Sequence, residues 1–148
     1  MGVGLGQVSV DDILVTTLSR INVSGGDILH AVKRGDFGFI EFGEAYFSII
    51  EASAIKAWKR HSLMTLNLIV PLGCIQFVFF DNKGKSRQEI VGEDRYVRLT
   101  VPPGIWFGFK GLSEYKSMVL NVADLKHSDA EVERKDTDYF EFLWDIEK

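Results

Sequence analysis

The 148-residue sequence predicts an all-β fold, an antiparallel sandwich or barrel. Three observations carry that expectation. Short runs rich in β-branched and aromatic residues recur along the chain, turn-forming clusters separate them about every 8–12 residues, and no amphipathic helical pattern intervenes.

In chain order, the predicted strands are "DILHAV" (27–32), "EAYFSII" (44–50), "AIKAW" (54–58), "NLIVPL" (67–72) and "CIQFVFF" (74–80). "SRQEIV" (86–91), "YVRLTV" (96–101), "IWFGF" (105–109) and "SMVLNV" (117–122) follow. Each is an extended-favouring run, and Gly, Pro, Asn and Asp punctuate the gaps in "RGDFG" (34–38), "DNKG" (81–84) and "PPG" (102–104). The C-terminal segment 128–148 breaks the pattern, being charged first and aromatic later. It is expected to form a short helical, strand or irregular tail that packs on the barrel or on a partner. With no internal repeat or linker, residues 1–148 are expected to form one domain, with 1–7 a flexible terminus.

Bulk properties narrow the function. A formal charge of −4 disfavours nucleic acid as the partner, because phosphate binding wants a basic stripe. The single cysteine, Cys74, excludes an intramolecular disulfide or thiolate cluster. No apolar run is long enough to span a membrane, and the N-terminus lacks the pattern of a signal peptide. A cytoplasmic setting is expected. "GVGLGQ" (Gly2, Gly4, Gly6) has neither the preceding strand nor the spacing of a nucleotide loop.

The stretch "IKAWKRH" (55–61) places Lys56, Lys59, Arg60 and His61 in what otherwise reads as a core strand. Lys59 and His61 share one face by alternation, as do Glu44, Tyr46 and Ser48 on their strand. If those faces line the barrel interior, they make a polar pocket holding both a cation and an anion. A lysine there would have a lowered pKa and act as a base, with Glu44 as its anion. The competing reading makes the cations a solvated strand face. Trp106 and Phe107 are candidates to stack on a nucleotide base or sugar.

The same stretch carries a recognisable frame. Lys59-x-His61, Leu66 and Gly73 reproduce the spacing of the first metal-binding cupin motif, and Pro102-x-Gly104-x-x-Phe107 that of the second. The four ligand positions hold Lys59, His61, Leu66 and Phe107, which cannot ligate a metal as a set, so no metal and no cofactor are expected.

Over residues 26–138 the chain resembles the dTDP-4-dehydrorhamnose 3,5-epimerase family of sugar-nucleotide-modifying cupins. The stretches that carry the likeness are "FGEAYFS" (42–48), "IKAWKRH" (55–61), "GCIQFVFFD" (73–81), "VPPGIWFGF" (101–109) and "VLNVADLKHSDAE" (119–131). The resemblance implies a cupin-type double-stranded β-helix, or jelly roll. It also implies a homodimer that binds a nucleotide-linked sugar inside the barrel, in surface polysaccharide biosynthesis. It places Glu44 and Tyr46 where the family holds the sugar, Lys56 at its substrate-contacting arginine and Lys59 at its catalytic histidine. Leu66 stands at its enolate-stabilising lysine and Phe107 at a turn histidine, and near Leu125 no tyrosine occupies the catalytic acid position. The scaffold agrees while the acid–base residues differ.

Two functions follow as expectations. The first is an epimerase or isomerase for a nucleotide-linked keto-sugar, with Lys59 and His61 as altered catalytic groups. Glu44, Tyr46, Lys56, Arg60, Asn67, Trp106 and Phe107 would then bind the substrate. The second is a non-catalytic sugar or sugar-nucleotide binder that has lost epimerase activity.

Overall fold

The computed structural model describes residues 7–144; Gly2, Gly4 and Gly6 lie outside that range. Twelve strands form among the described residues. β1 (Leu14–Thr17), β9 (Val97–Val101), β6 (Leu66–Leu72), β11 (Ser117–Ala123) and β4 (Glu44–Ile50) make one antiparallel sheet in that order. β12 (Val132–Arg134), β5 (Ile55–His61), β10 (Trp106–Gly111), β7 (Cys74–Phe80) and β8 (Ser86–Gly92) make a second. β2 (Arg20–Ile21) and β3 (Ile28–Leu29) form a small ribbon apart from both. The two five-stranded sheets face each other as a jelly roll. No helix among the described residues is long and apolar enough to cross a membrane.

Alternation explains the core. Leu66, Leu68 and Val70 of β6, Phe77 and Phe79 of β7 and Val119 of β11 point between the sheets and are buried there. "CIQFVFF" is apolar throughout because its other face is covered as well. Val78 and Phe80 join Trp58, Trp106 and Trp144 in a second apolar layer, with Phe140 and Phe142 packed against it. The C-terminal tail therefore docks on the outside of the second sheet. Trp58 anchors it: the indole meets Phe140 edge-on at 5.1 Å and Trp144 at 5.4 Å. The indole N–H also donates to the Thr137 carbonyl at 3.0 Å.

The expected strand 27–32 is a correction. Only Ile28–Leu29 pairs, because the following segment is held by a side chain instead of by a ladder. The buried Arg98 guanidinium donates to the carbonyls of Ala31 (2.9 Å) and Phe37 (3.0 Å) and reaches Asp36 at 3.4 Å. A guanidinium presents five donors in a fixed fork, so it satisfies several loop carbonyls at once.

β5 carries one more residue than β10 where they pair. Phe107 lies opposite Lys59, Gly108 opposite Ala57 and Phe109 opposite Lys56, leaving Trp58 as the bulged residue. The bulge turns Lys56 and Lys59, three apart in sequence, to the same inner face and sends Trp58 outward. Gly108 makes room for it: a Cβ there would lie 2.5 Å from Ala57 Cβ and 3.1 Å from the Trp58 ring. Gly108→Ala is expected to lower stability by about 1–3 kcal/mol, the usual cost of overpacking. Urea denaturation of the variant beside the wild type measures it.

Candidate functional site

Between the sheets an open cavity of about 580 Å³ reaches the surface, within the size range of ligand pockets. Lys59, Phe77, Phe107 and Phe109 line it from the second sheet, and Tyr46 and Asn121 from the first. The exposed side chains of Lys56, Arg134, Lys135 and Asp136 stand at its rim. Tyr46 and Asn121 are register partners on β4 and β11, and the Asn121 amide donates to the Tyr46 hydroxyl at 3.0 Å. Asn121 Oδ1 is buried with no partner, so this pair presents a free acceptor and a free hydroxyl proton.

Lys59 projects over the Phe107 ring, its Nζ 5.9 Å from the ring centre. Burial is the main reason its ammonium is held below the ordinary lysine value. The Arg134 cation, whose residue is the register partner of Lys59 on β12, pushes in the same direction. The Glu131 and Glu44 carboxylates oppose that shift, Glu131 more than Glu44.

His61 is 4% exposed, and its Nδ1 lies 2.5 Å from Glu131 Oε1. Burial lowers its pKa despite the carboxylate, so the ring is neutral at pH 7. A carboxylate only accepts, which puts the proton on Nδ1 and leaves the Nε2 lone pair bare. That Nε2 is buried and meets no hydrogen-bond partner. The ring also stacks on Phe107, centres 6.3 Å apart, behind the cavity wall. Glu131, 6% exposed, also accepts from the Leu63 and Met64 amides at 3.2 Å each. Burial works to raise the Glu131 carboxyl, and the bonds from His61 and the two amides outweigh it, leaving its pKa below the ordinary value.

The four positions of the cupin metal frame do come together. Lys59 pairs with Phe107, His61 stacks on Phe107, and Leu66 is buried in the core between the sheets. Among the described residues no cluster of three or more His, Cys, Asp or Glu side chains is placed to hold a metal ion.

Of the residues expected to bind substrate, the structure places Tyr46, Lys56 and Phe107 on the cavity with Lys59. Glu44 stands at the start of β4 with Oε1 buried and unpartnered, close enough to act on Lys59 but off the cavity wall. Three expectations are corrected. Arg60 points to the outer face, where it lies 4.7 Å from the Trp106 ring and bonds Glu133 at 2.7 Å. Trp106 faces outward too, under the tail, because Phe107 takes the inward position beside it. Asn67 lies on the outer face of β6, where its side-chain oxygen accepts from Arg98 (3.1 Å) and Thr100 (2.7 Å).

Sequence reasoning missed Glu131, Arg134, Lys135 and Asn121. The alternation of "EVER" (131–134) signals a strand whose two faces differ, and a buried histidine calls for an acid. The pairing of β12 with β5 makes those cues act at the cavity.

Two facing antiparallel sheets around an open, side-chain-lined cavity define the chain as a cupin. It is similar to the dTDP sugar isomerase of Desulfovibrio desulfuricans G20, with 37% identity, 87% of each chain covered and a TM-score of 0.85. The chain belongs to the dTDP-4-dehydrorhamnose 3,5-epimerase family of sugar-nucleotide-modifying cupins. A likeness of fold extends to QdtA, a sugar 3,4-ketoisomerase from Thermoanaerobacterium thermosaccharolyticum solved with TDP. There identity is 14%, coverage 88% of this chain and 92% of that one, and the TM-score 0.74. Spore coat polysaccharide biosynthesis protein SpsL of Bacillus subtilis is 23% identical over 148 residues, 93% of this chain and 98% of its own. No family model matches the chain.

Glu131→Gln is expected to destabilise the fold by about 1–3 kcal/mol, since the bonds to His61 and two amides are weakened. A carboxyl whose folded pKa is depressed gives its full stabilisation above the unfolded value, about 4.3, and loses it as pH falls through the folded value. Denaturation midpoints measured from pH 7 downward should therefore start to draw together once the pH drops below the unfolded carboxyl value and meet as it passes the depressed folded one.

Proposed function

We propose that the chain is an isomerase or epimerase of a nucleotide-linked keto-sugar, TDP-linked in the first instance. The observation that carries this is the arrangement of charge about one cavity. The Lys59 amine projects into it, the buried His61 ring lies behind its wall against Phe107, and three cations, Lys56, Arg134 and Lys135, stand at the rim. A sugar ring fits among Tyr46, Asn121 and Lys59, while its diphosphate meets the rim cations. Hydrogens beside a ketone are acidic enough for a nitrogen base to remove, and removal followed by return on either face inverts the carbon or moves the carbonyl. Burial favours the neutral, proton-accepting forms of both nitrogens. The relatives named above, a dTDP sugar isomerase and a protein of polysaccharide biosynthesis, support the same substrate class.

The experiment is deuterium exchange. Incubated in deuterated water with TDP-4-keto-6-deoxyglucose, the wild-type protein is expected to label the carbon next to the ketone, and Lys59→Ala is expected not to. Arg134→Ala should weaken TDP binding by about tenfold in calorimetry, equivalent to one charge-assisted hydrogen bond. Arg60→Ala, on the outer face, should bind as wild type does. Binding without any exchange in the wild type would establish a non-catalytic sugar-nucleotide binder instead.

We also propose a homodimer. β4 is the last strand of its sheet, and its outward side chains Phe47 and Ile49 are 63% and 50% exposed. An apolar edge strand of this kind is covered in stable proteins. Light scattering at micromolar concentration should give twice the chain mass, and Phe47→Asp should halve it.

A further inference from the structure

The C-terminal segment touches the rest of the protein on two sides. Its inner side lines the cavity, with Arg134, Lys135 and Asp136 on the wall. Its outer side packs on the second sheet, where Phe140 stacks on Phe80 with ring centres 4.3 Å apart and meets Trp58 edge-on. Trp58 joins the two sides. Its backbone exchanges hydrogen bonds with Lys135, and its indole N–H donates to the Thr137 carbonyl. The same few residues therefore hold both the cavity mouth and the outer contact.

The attachment is light. β12 is the end strand of its sheet, three residues long, and pairs with β5 on one side only. Charge at the mouth works against that pairing. Among the described residues the charged groups lining the cavity are Lys56, Lys59, Arg134 and Lys135, against the single carboxylate of Asp136. Lys59 and Arg134 are register partners, and the field of the Arg134 cation disfavours a charged Lys59. Closing β12 onto β5 brings these like charges together. The fields of Glu131 and Glu44 offset part of the repulsion, without an ion pair to Lys59 or Arg134 among the described residues.

A diphosphate removes the conflict. Its oxygens, placed among these cations, turn repulsion into attraction, and hydrogen bonds between ionised partners are the strong ones. Arg134 and Lys135 stand at the mouth only while β12 is paired. A ligand shifts an equilibrium by its difference in affinity for the two states, and here those two side chains supply the difference.

We propose that residues 132–144 form an anion-responsive strap: a diphosphate at the cavity mouth holds the segment against the second sheet, and the empty protein lets it open. The inference deepens the function proposed above and rests on that reading for the diphosphate. Coupling of this kind runs both ways, so loosening the tail on the outer face weakens binding in the cavity. The strap also carries its own reporter. All three tryptophans of the chain, Trp58, Trp106 and Trp144, are buried in the cluster that the tail completes.

The test combines hydrogen exchange, fluorescence and calorimetry on the full chain. Addition of TDP, and separately of inorganic pyrophosphate, is expected to slow amide exchange in 132–144 by about tenfold, as suppression of a local opening does. Exchange in β8, away from the mouth, should stay as it was. Tryptophan emission should move to shorter wavelength in the same titration. Phe140 lines no part of the cavity, yet Phe140→Ala should weaken TDP binding by about fivefold, the low end of such couplings. Phe142→Ala, on the same outer face, serves where the first variant does not fold. Bound TDP with unaltered exchange in 132–144, or wild-type affinity in the folded variant, would overturn the strap while leaving the isomerase reading intact. Failure of the wild type to bind either TDP or pyrophosphate would overturn both.

Discussion

The extra residue that β5 carries against β10 decides which side chains enter the cavity. Strict alternation would put Lys56 and Lys59 on opposite faces. With Trp58 bulged outward, both amines face in, and the large indole becomes a fixture on the outer face. The tail docks on that fixture. Trp58 and Lys135 exchange backbone hydrogen bonds at 2.9 and 3.0 Å, which aligns β12 beside β5. Through that alignment Glu131 reaches His61, and Arg134 comes alongside Lys59. One local irregularity thus sets the cavity wall, its rim and the anchor of the tail.

The electrostatics of the inner face follow from solvent exclusion more than from pairing. Among the described residues Lys59 has no ion-pair partner and His61 has one strong acceptor, yet burial is the largest influence on both and favours their neutral forms. Unpaired buried bases reduce stability. Such groups persist where a site needs a reactive lone pair at neutral pH. The buried, unpartnered oxygens of Glu44 and Asn121 belong to the same neighbourhood and carry the same cost. By contrast, the buried Arg98 on the outer face of the first sheet is surrounded by acceptors, as a purely structural charge should be.

Much of the fold was legible because alternation and turn residues are local. The runs at 44–50, 67–72, 74–80, 86–91 and 117–122 lie where β4, β6, β7, β8 and β11 form. The jelly roll was legible through the cupin spacing. The segment 27–32 misled because its carbonyls are satisfied by Arg98, a contact about 65 residues away that no local pattern encodes. Facing was legible where one strand sufficed: alternation alone puts Lys59 and His61 on one side of β5. Arg60, Asn67 and Trp106 read as site residues but lie on outer faces, since residue type does not reveal which side of a strand meets the cavity. Glu131 and Arg134 were hidden for the opposite reason. Their role depends on a tail that returns some seventy residues later to pair with β5, a long-range contact invisible to any sequence window.

The docking of that tail has a consequence for the order in which the protein is completed during its synthesis. Chains emerge from the ribosome N-terminus first, and β1 through β11 can close into two sheets before residues 131–144 are available. Until then Trp58, Val78, Phe80 and Trp106 face water as an uncovered apolar patch, and His61 lacks its acid. Residues 131–144 therefore both cover that apolar patch and bring Glu131 to His61. A nascent barrel stalled short of Glu131 would be aggregation-prone and would leave His61 without its acid at once, so quality control that recognises the exposed patch would also remove chains whose histidine is unpaired.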